Sequence, residues 1–327
     1  MPFPTPLARL AAACTLALGA VAPALAADAY PSRPITVVIP FPPGGATDVL
    51  GRVIGQKLGD TLGQTVVVEN RAGAGTIIGA SYVAKAAPDG YTVLVSSGTT
   101  FTVNPAIRSN LPYDPVKSFD PIGIAGRTGL ILLANKDVPV QTVKQFVDYV
   151  KASPDKYAYG SFGSGTTAQF AGEIVLSATG LKMTHVPYKG SAPAMTDLMG
   201  GQIPFTVDTV SAAIPQLKSG KIKAIAVTTA KRSALLPDVP TMAENGYPDI
   251  NMDTWLVLAA PKGLPADVKA KLEKALATVM ADADTRSKLT AQGFEPAYAN
   301  AAAASDLINK ELPVMRALAQ RANITAD

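Results

Sequence analysis

PFPPGGATD, residues 40–48, lies between two patterned stretches that decide how it is read. Before it, Ile35 to Ile39 (ITVVI) is an apolar run with Thr36 as its one polar residue, the pattern of a parallel strand buried on both faces. After it, Val49, Leu50, Val53, Ile54, Leu58 and Leu62 recur with helical spacing. The prolines and glycines therefore form a strand-to-helix loop. Gly44 and Gly45 carry no Cβ, so backbone N–H groups there can approach a ligand closely, and Thr47 is placed to cap the helix. N–H groups at a helix N-terminus form a ready anion site. The same residues also suit a plain βα turn with a capped helix. Similar Gly/Thr loops further along favour the binding role.

The alternation continues. TVVVEN (65–70) reads as a strand, followed by a loop with Gly73 and Gly75 and a helix over 77–86. TVLVSS (92–97) is a third strand. Repeated βα units imply a parallel sheet covered on both faces. Ligands bind such sheets beyond the carboxyl ends of the strands, which puts SSGTT (96–100) beside the first loop. Asn104-Pro105 then interrupts the pattern. FDPIGIAGRTGLILLANKD (119–137) reads as extended chain, with Gly123, Gly126 and Gly129 weakening it as a continuous strand.

A second βα series follows this crossover. It runs through a helix at 143–151, a strand at 157–162, GSGTT (163–167) opening a helix, THVPYKG (184–190), a helix to Met199, IPFTVDT (203–209) and KAIAVTT (223–229). One short strand at 256–260 and a helical tail over 265–280, 283–292 and 301–321 complete the chain. No Ser/Gly-rich linker separates the halves. The expected architecture is two interleaved α/β lobes, joined by extended crossings near Arg127 and Asn251, with a cleft that closes by hinging. The lobes are expected over 27–127 with 251–327, and over 128–250.

SSGTT and GSGTT repeat one motif in the two lobes. They supply hydroxyls from Ser97, Thr99, Ser164, Thr166 and Thr167 and N–H groups beside Gly165. Two helix N-termini facing one cleft hold an anion without lysine or arginine; ordinary capping loops are the alternative. Asp48 falls in a first helical turn, where the dipole favours an acid. Asp208, at a strand end, can accept a hydrogen bond from an amine or hydroxyl, whereas near a bare anion it repels. Lys189 either offsets charge at the cleft or lies on a solvated rim.

Residues 1–26 have the pattern of a secretory signal peptide: Arg9, an apolar core over 10–21, and Ala24-Leu25-Ala26 as cleavage site. A membrane anchor, for which the run is short and carries Pro23, and a lipid-modified Cys14 are the alternatives. Cleavage leaves no cysteine, which excludes disulfides and thiol chemistry and suits an oxidising periplasm. The chain has 29 Lys plus Arg against 25 Asp plus Glu, so losing Arg9 gives 28 − 25 = +3. These charges are dispersed, which argues against a nucleic-acid partner.

Enzymatic signatures are weak. His185 is the single histidine. Neither Ser161 nor Ser164 has both glycines of a nucleophile elbow. Gly220-Lys221 precedes Ile222, so there is no phosphate loop, and three residues separate Gly75 from Gly79 where a dinucleotide fingerprint needs two. No histidine or cysteine cluster offers a metal site, and no cofactor is expected. A carboxylate-based exported hydrolase or isomerase is the rival enzymatic class.

YPSRPITVVIPFPPGGATD (30–48), VVVENRAGAGTIIGA (66–80), APDGYTVLVSSGT (87–99), HVPYKGSAPAMTDLMGGQIPF (185–205) and LPDVPTMAENGYP (236–248) together carry a resemblance over essentially the whole mature length. The chain resembles the Bug-type substrate-binding receptors of tripartite tricarboxylate transporters. That implies a two-lobed periplasmic binding protein of the type 2, Venus-flytrap class, a monomer that captures a small carboxylate and delivers it to membrane permease subunits. A sensor that reports ligand occupancy to a signalling partner is the alternative role. The matching ligand-binding positions are Phe41, Gly44, Gly45, Ala46, Asp48, Ser97, Thr99, Ser164, Gly165, Thr166, Thr167 and Asp208.

Overall fold

Strand β1 (Ile35–Ile39) lies at the centre of a parallel trio, flanked by β2 (Val66–Asn70) and β3 (Thr92–Ser97). Val37, Val38 and Ile39 are fully buried, in keeping with the apolar run, while Thr36 is only partly buried. Helix α1 (Ala46–Leu62) buries Leu50, Ile54 and Leu58 against this sheet and stops at Gly63, whose left-handed φ of 68° returns an N–H to Gly59. α1 lies so close that a Cβ on Gly51 would sit 2.6 Å from Ile39 Cδ1. α2 (Ile77–Ala84) follows β2. After β3 comes a π-helical turn (Thr99–Val103) running into α3 (Asn104–Ile107), so Asn104-Pro105 sits inside a helical segment rather than ending one.

The computed structural model describes residues 30–325, and the expected signal peptide and Cys14 lie outside the described residues. The folded unit that carries every element begins at Arg33.

Residues 119–135 form a single strand of 17 residues, β4 (Phe119–Asn135). Its glycines mark irregularities rather than breaks. The register shifts between Pro121 and Gly123 and between Ile124 and Gly126. A Cβ on Gly123 would lie 2.8 Å from the Ala299 carbonyl oxygen, where a later two-residue strand pairs with β4. The second series gives α4 (Val143–Lys151), β5 (Ala158–Ser161), α5 (Thr167–Thr179), β6 (Thr184–Pro187), α6 (Ser191–Met199), β7 (Phe205–Thr209), α7 (Val210–Leu217) and β8 (Ile222–Val227). β9 (Asp253–Pro261) returns to the first sheet, followed by α8 (Ala266–Ala281), α9 (Ala283–Ala291), β10 (Ala299–Asn300) and α10 (Ala301–Arg321).

The strands run in the order β2-β1-β3-β9-β4-β7-β5-β6, with β10 and β8 also paired to β4. β4 is the hand-over. Its first half pairs antiparallel with β9, and Leu130 to Ala134 pair antiparallel with β7, which in turn lies parallel to β5. Each half therefore has its own parallel βα unit and its own core. Phe101, Trp255 and Ile308 pack in one, and Phe146, Phe170 and Phe205 in the other. α10 enters both, since Ala304 and Ile308 belong to the first core and Met315 and Ala319 to the second.

Candidate functional site

The loop after β1 is held by Asp48. Its carboxylate accepts from Gly44 N–H (3.0 Å), Asn70 Nδ2 (2.8 Å) and Arg52 Nε (3.1 Å), and pairs with the Arg52 guanidinium at 2.9 Å. Asn70 Nδ2 also holds the Phe41 carbonyl at 3.0 Å. Burial pushes this carboxyl up, but the hydrogen bonds from Arg52, Gly44 and Asn70 outweigh it and leave it below the usual aspartate range. Asp48 and the Gly44 N–H are thus engaged with each other. Thr47 does not cap the helix: Gly45 is the cap residue, and Thr47 lines the inner pocket described below.

GSGTT is also bound up internally. Gly163 N–H donates to Ser161 Oγ (3.1 Å), Gly165 N–H to Gln169 Oε1 (2.6 Å), and Thr166 Oγ1 to the Gly163 carbonyl (2.6 Å). Thr166 is the N-cap of α5, its hydroxyl accepting from Gln169 N–H. Ser164 lies half-buried on an outer cavity. His185 Nε2 is 2.7 Å from Ser161 Oγ, which is fully buried and also bonded to Gly163, so this Ser–His pair shapes the loop.

The two hydroxyl motifs meet directly. Thr167 N–H donates to Thr99 Oγ1 at 3.1 Å, and Thr99 Oγ1 donates to Thr167 Oγ1 at 3.5 Å. Ser97 accepts from Thr99 N–H at 3.3 Å. Around this seam lies a small inner pocket of about 20 Å³, bounded by Gly45, Ala46, Thr47, Ser97, Thr167, Ser191, Thr209 and Thr254. It touches the first residues of four helices: α1 through Ala46 and Thr47, α5 through Thr167, α6 through Ser191 and α7 through its cap Thr209. Each helix start carries a partial positive charge, worth roughly 0.3–1 kcal/mol to a nearby anion.

Asp208, the last residue but one of β7, lies behind this pocket with no exposed surface. Its Oδ1 accepts from Ser191 Oγ (2.9 Å) and from Thr209 N–H (2.7 Å), while Oδ2 is buried without a hydrogen bond. Burial pushes this carboxyl up to about 7, and the Thr209 and Ser191 bonds only partly offset it. Thr254 Oγ1, on the pocket wall, is likewise buried and unpartnered.

Among the sequence-predicted residues, Phe41, Gly45, Ala46, Ser97 and Thr167 line the inner pocket, and Thr99 supports it from behind. Gly44, Asp48, Gly165 and Thr166 instead hold loop shape. Sequence reasoning missed Pro42, Thr47, Phe162, Ser191, Thr209 and Thr254. Ser191 and Thr209 had a signal, each standing where a strand or glycine loop passes into a helix. Thr254 had none, because β9 brings it in from far along the chain. The halves touch across the pocket, since a Cβ on Gly45 would lie 3.5 Å from Ser191 Oγ and one on Gly190 3.0 Å from Pro42.

Two α/β lobes closed on a buried pocket ringed by helix N-termini define a solute-binding protein with the two-lobed fold of periplasmic binding proteins. The chain belongs to the tripartite tricarboxylate transporter receptor family, whose model matches residues 50–324. BugT of Bordetella pertussis is 36% identical over 285 residues, covering 87% of each chain. A solved structure of an R. palustris protein with adipate superposes with a TM-score of 0.88 at 34% identity, covering 90% of this chain and 99% of that one. MatC from Rhodopseudomonas palustris, with bound malate, superposes with a TM-score of 0.83 at 32% identity, covering 88% and 99%.

Proposed function

We propose that this chain is a periplasmic receptor that captures a small organic carboxylate between its lobes and delivers it to a membrane permease without transforming it. The observation that carries this reading is the convergence of four helix starts on one small pocket lined by the hydroxyl side chains of Thr47, Ser97, Thr167, Ser191, Thr209 and Thr254. Together they favour an anion by about 1–4 kcal/mol before any hydroxyl contact is counted. The inner pocket has room for about one or two water molecules, the size of a carboxylate head. Relatives solved with adipate and malate support the carboxylate class.

The lobes proposed are 27–127 with 251–327, and 128–250. They move about the middle of β4 and the chain before β9, and parting them admits the ligand. Ligand binding to the closed form stabilises it by about 2.7 kcal/mol at a hundredfold excess over Kd. Mono-, di- and tricarboxylates should therefore include a compound that raises the melting temperature and is recovered unchanged. A response to neutral sugars alone, or turnover of the ligand, would overturn the proposal.

A further inference from the structure

Glu311 lies on α10 between Ile308, which packs in the first core, and Met315, which packs in the second. Its carboxylate is shared between two donors. Oε1 accepts from Thr102 Oγ1 at 2.8 Å, and Oε2 accepts from the Trp255 indole N–H at 2.7 Å. Thr102 and Trp255 are both fully buried. Among the described residues no lysine or arginine stands at ion-pair distance from Glu311. Burial pushes its carboxyl up, and the bonds from Thr102 and Trp255 only partly offset this. A carboxylate taken out of water and met only by neutral donors is costly, and an apolar side chain would fill the place without that cost.

What the carboxylate supplies is a junction. Thr102 belongs to the π-helical turn Thr99–Val103, and its hydroxyl also reaches the Gly98 carbonyl at 3.0 Å. Such turns are rare and are frequently found at functional sites. A Cβ on Gly98 would lie 3.5 Å from Glu311 Oε1 and 3.5 Å from Trp255 Cε2, so the turn rests on both groups. The turn starts at Thr99, whose hydroxyl accepts from Thr167 N–H, and Ser97 on the pocket wall lies just before it. On the other arm, Trp255 follows Thr254, whose buried hydroxyl has no partner and faces the same pocket. The ladder between β3 and β9 pairs Ser97 with Leu256 and ends there. Beyond it, Glu311 is the side chain that bonds both continuing segments.

Resting on the carboxylate reading above, we propose that Glu311 is a positioning residue for ligand binding, whose carboxylate locks the Thr99–Val103 turn to β9 and so sets Ser97, Thr99 and Thr254 at the inner pocket. It does not line the pocket itself. It acts through Thr102 and Trp255, from a helix that enters the cores of both lobes.

Titration calorimetry and Trp255 emission test this, with the tightest binder among acetate, succinate, malate, adipate, benzoate and citrate as probe. Trp255 is the only tryptophan, so its emission reports on this junction. Glu311→Gln keeps the shape, but its amide oxygen can serve only one of the two donors. It should change the emission of the ligand-free protein and weaken binding about tenfold, because a displaced wall loses hydrogen bonds to a buried ligand oxygen. Thr102→Val should weaken binding about threefold or more. The double variant should bind no more weakly than Glu311→Gln, since both changes break one bond. Ile308→Val, one turn earlier on α10, should lower the melting temperature without changing affinity, which is how a merely structural Glu311 would behave. Wild-type affinity in Glu311→Gln, or losses from Glu311→Gln and Thr102→Val that add in full, overturn the positioning role and leave the carboxylate receptor standing. Should Glu311→Gln not fold, unchanged affinity in Thr102→Val overturns it alone. A wild-type protein that binds none of the six acids removes both readings.

Discussion

Asp208 should make the protein less stable as pH rises through neutrality, and Asp208→Asn should abolish that slope. The carboxyl is fully buried and pushed up to about 7 from an ordinary 3.8. Between those values the folded chain holds a proton that the unfolded chain has released. Stability therefore falls with rising pH across this window and levels off above about 7. The full difference, (7 − 3.8) × 1.36, is about 4 kcal/mol. Linkage puts roughly 2–3 kcal/mol of it between pH 5 and pH 8. At about 2–4 °C per kcal/mol, the wild-type melting temperature should drop by about 4–12 °C over that range.

In Asp208→Asn the amide oxygen can take over the bonds from Ser191 and Thr209. The amide NH₂ stands where Oδ2 has no acceptor, a fixed cost of about 1–3 kcal/mol. That cost lowers the level of the melting curve but not its dependence on pH. His185, the only histidine, is common to both proteins and cancels in the comparison. Scanning calorimetry of both proteins from pH 5 to 8 at fixed ionic strength reads the difference. Parallel wild-type and variant curves would refute the idea that Asp208 is burdened by burial. The same ionisation sets an anion against a carboxylate behind the pocket, so wild-type carboxylate affinity should fall above pH 7 and that of the variant should not.

Thr167→Val deletes a hydroxyl on the inner pocket and should weaken carboxylate binding five- to hundredfold, the cost of about 1–3 kcal/mol for an unpaired buried oxygen. Thr166→Val deletes an N-cap and should instead lower stability by about 0.5–2 kcal/mol, with affinity changed less; calorimetric titration and melting of both variants separate the two effects. Asp48→Asn replaces an acceptor facing Gly44 N–H and Arg52 with a donor, and should lower the melting temperature by roughly 2–10 °C. The charge of Asp48 contributes stability above the ordinary value of 3.8 that is lost as pH falls below it, so the Asp48→Asn deficit should shrink in acid. Amino-terminal sequencing of the exported protein should begin at Ala27, and a lipid adduct on Cys14 would overturn that assignment.

The order of elements was legible because burial on both faces leaves an apolar run such as Ile35–Ile39, and a helix on a sheet leaves a periodic one such as Leu50, Ile54 and Leu58. The meeting of SSGTT with GSGTT was legible as well, because loops beyond parallel strands converge. What could not be read was the partner of each donor. Gly44 N–H and Gly165 N–H looked free because a glycine exposes its backbone, yet each is closed by a side chain four residues on, Asp48 and Gln169. The two loops use the same device: an acceptor on the first helical turn folds back and fixes the glycine, as in a capping box. A loop held this way keeps its shape whether or not an anion is present, so binding need not pay for ordering it. The groups left to meet the ligand are those one step further on, Ala46, Thr47 and Thr167, where the helices begin. Long-range placement is the remaining gap: a crossing near Asn251 and a strand at 256–260 were expected, but nothing local said that β9 would lie between β3 and β4, which is what brings Thr254 to the pocket.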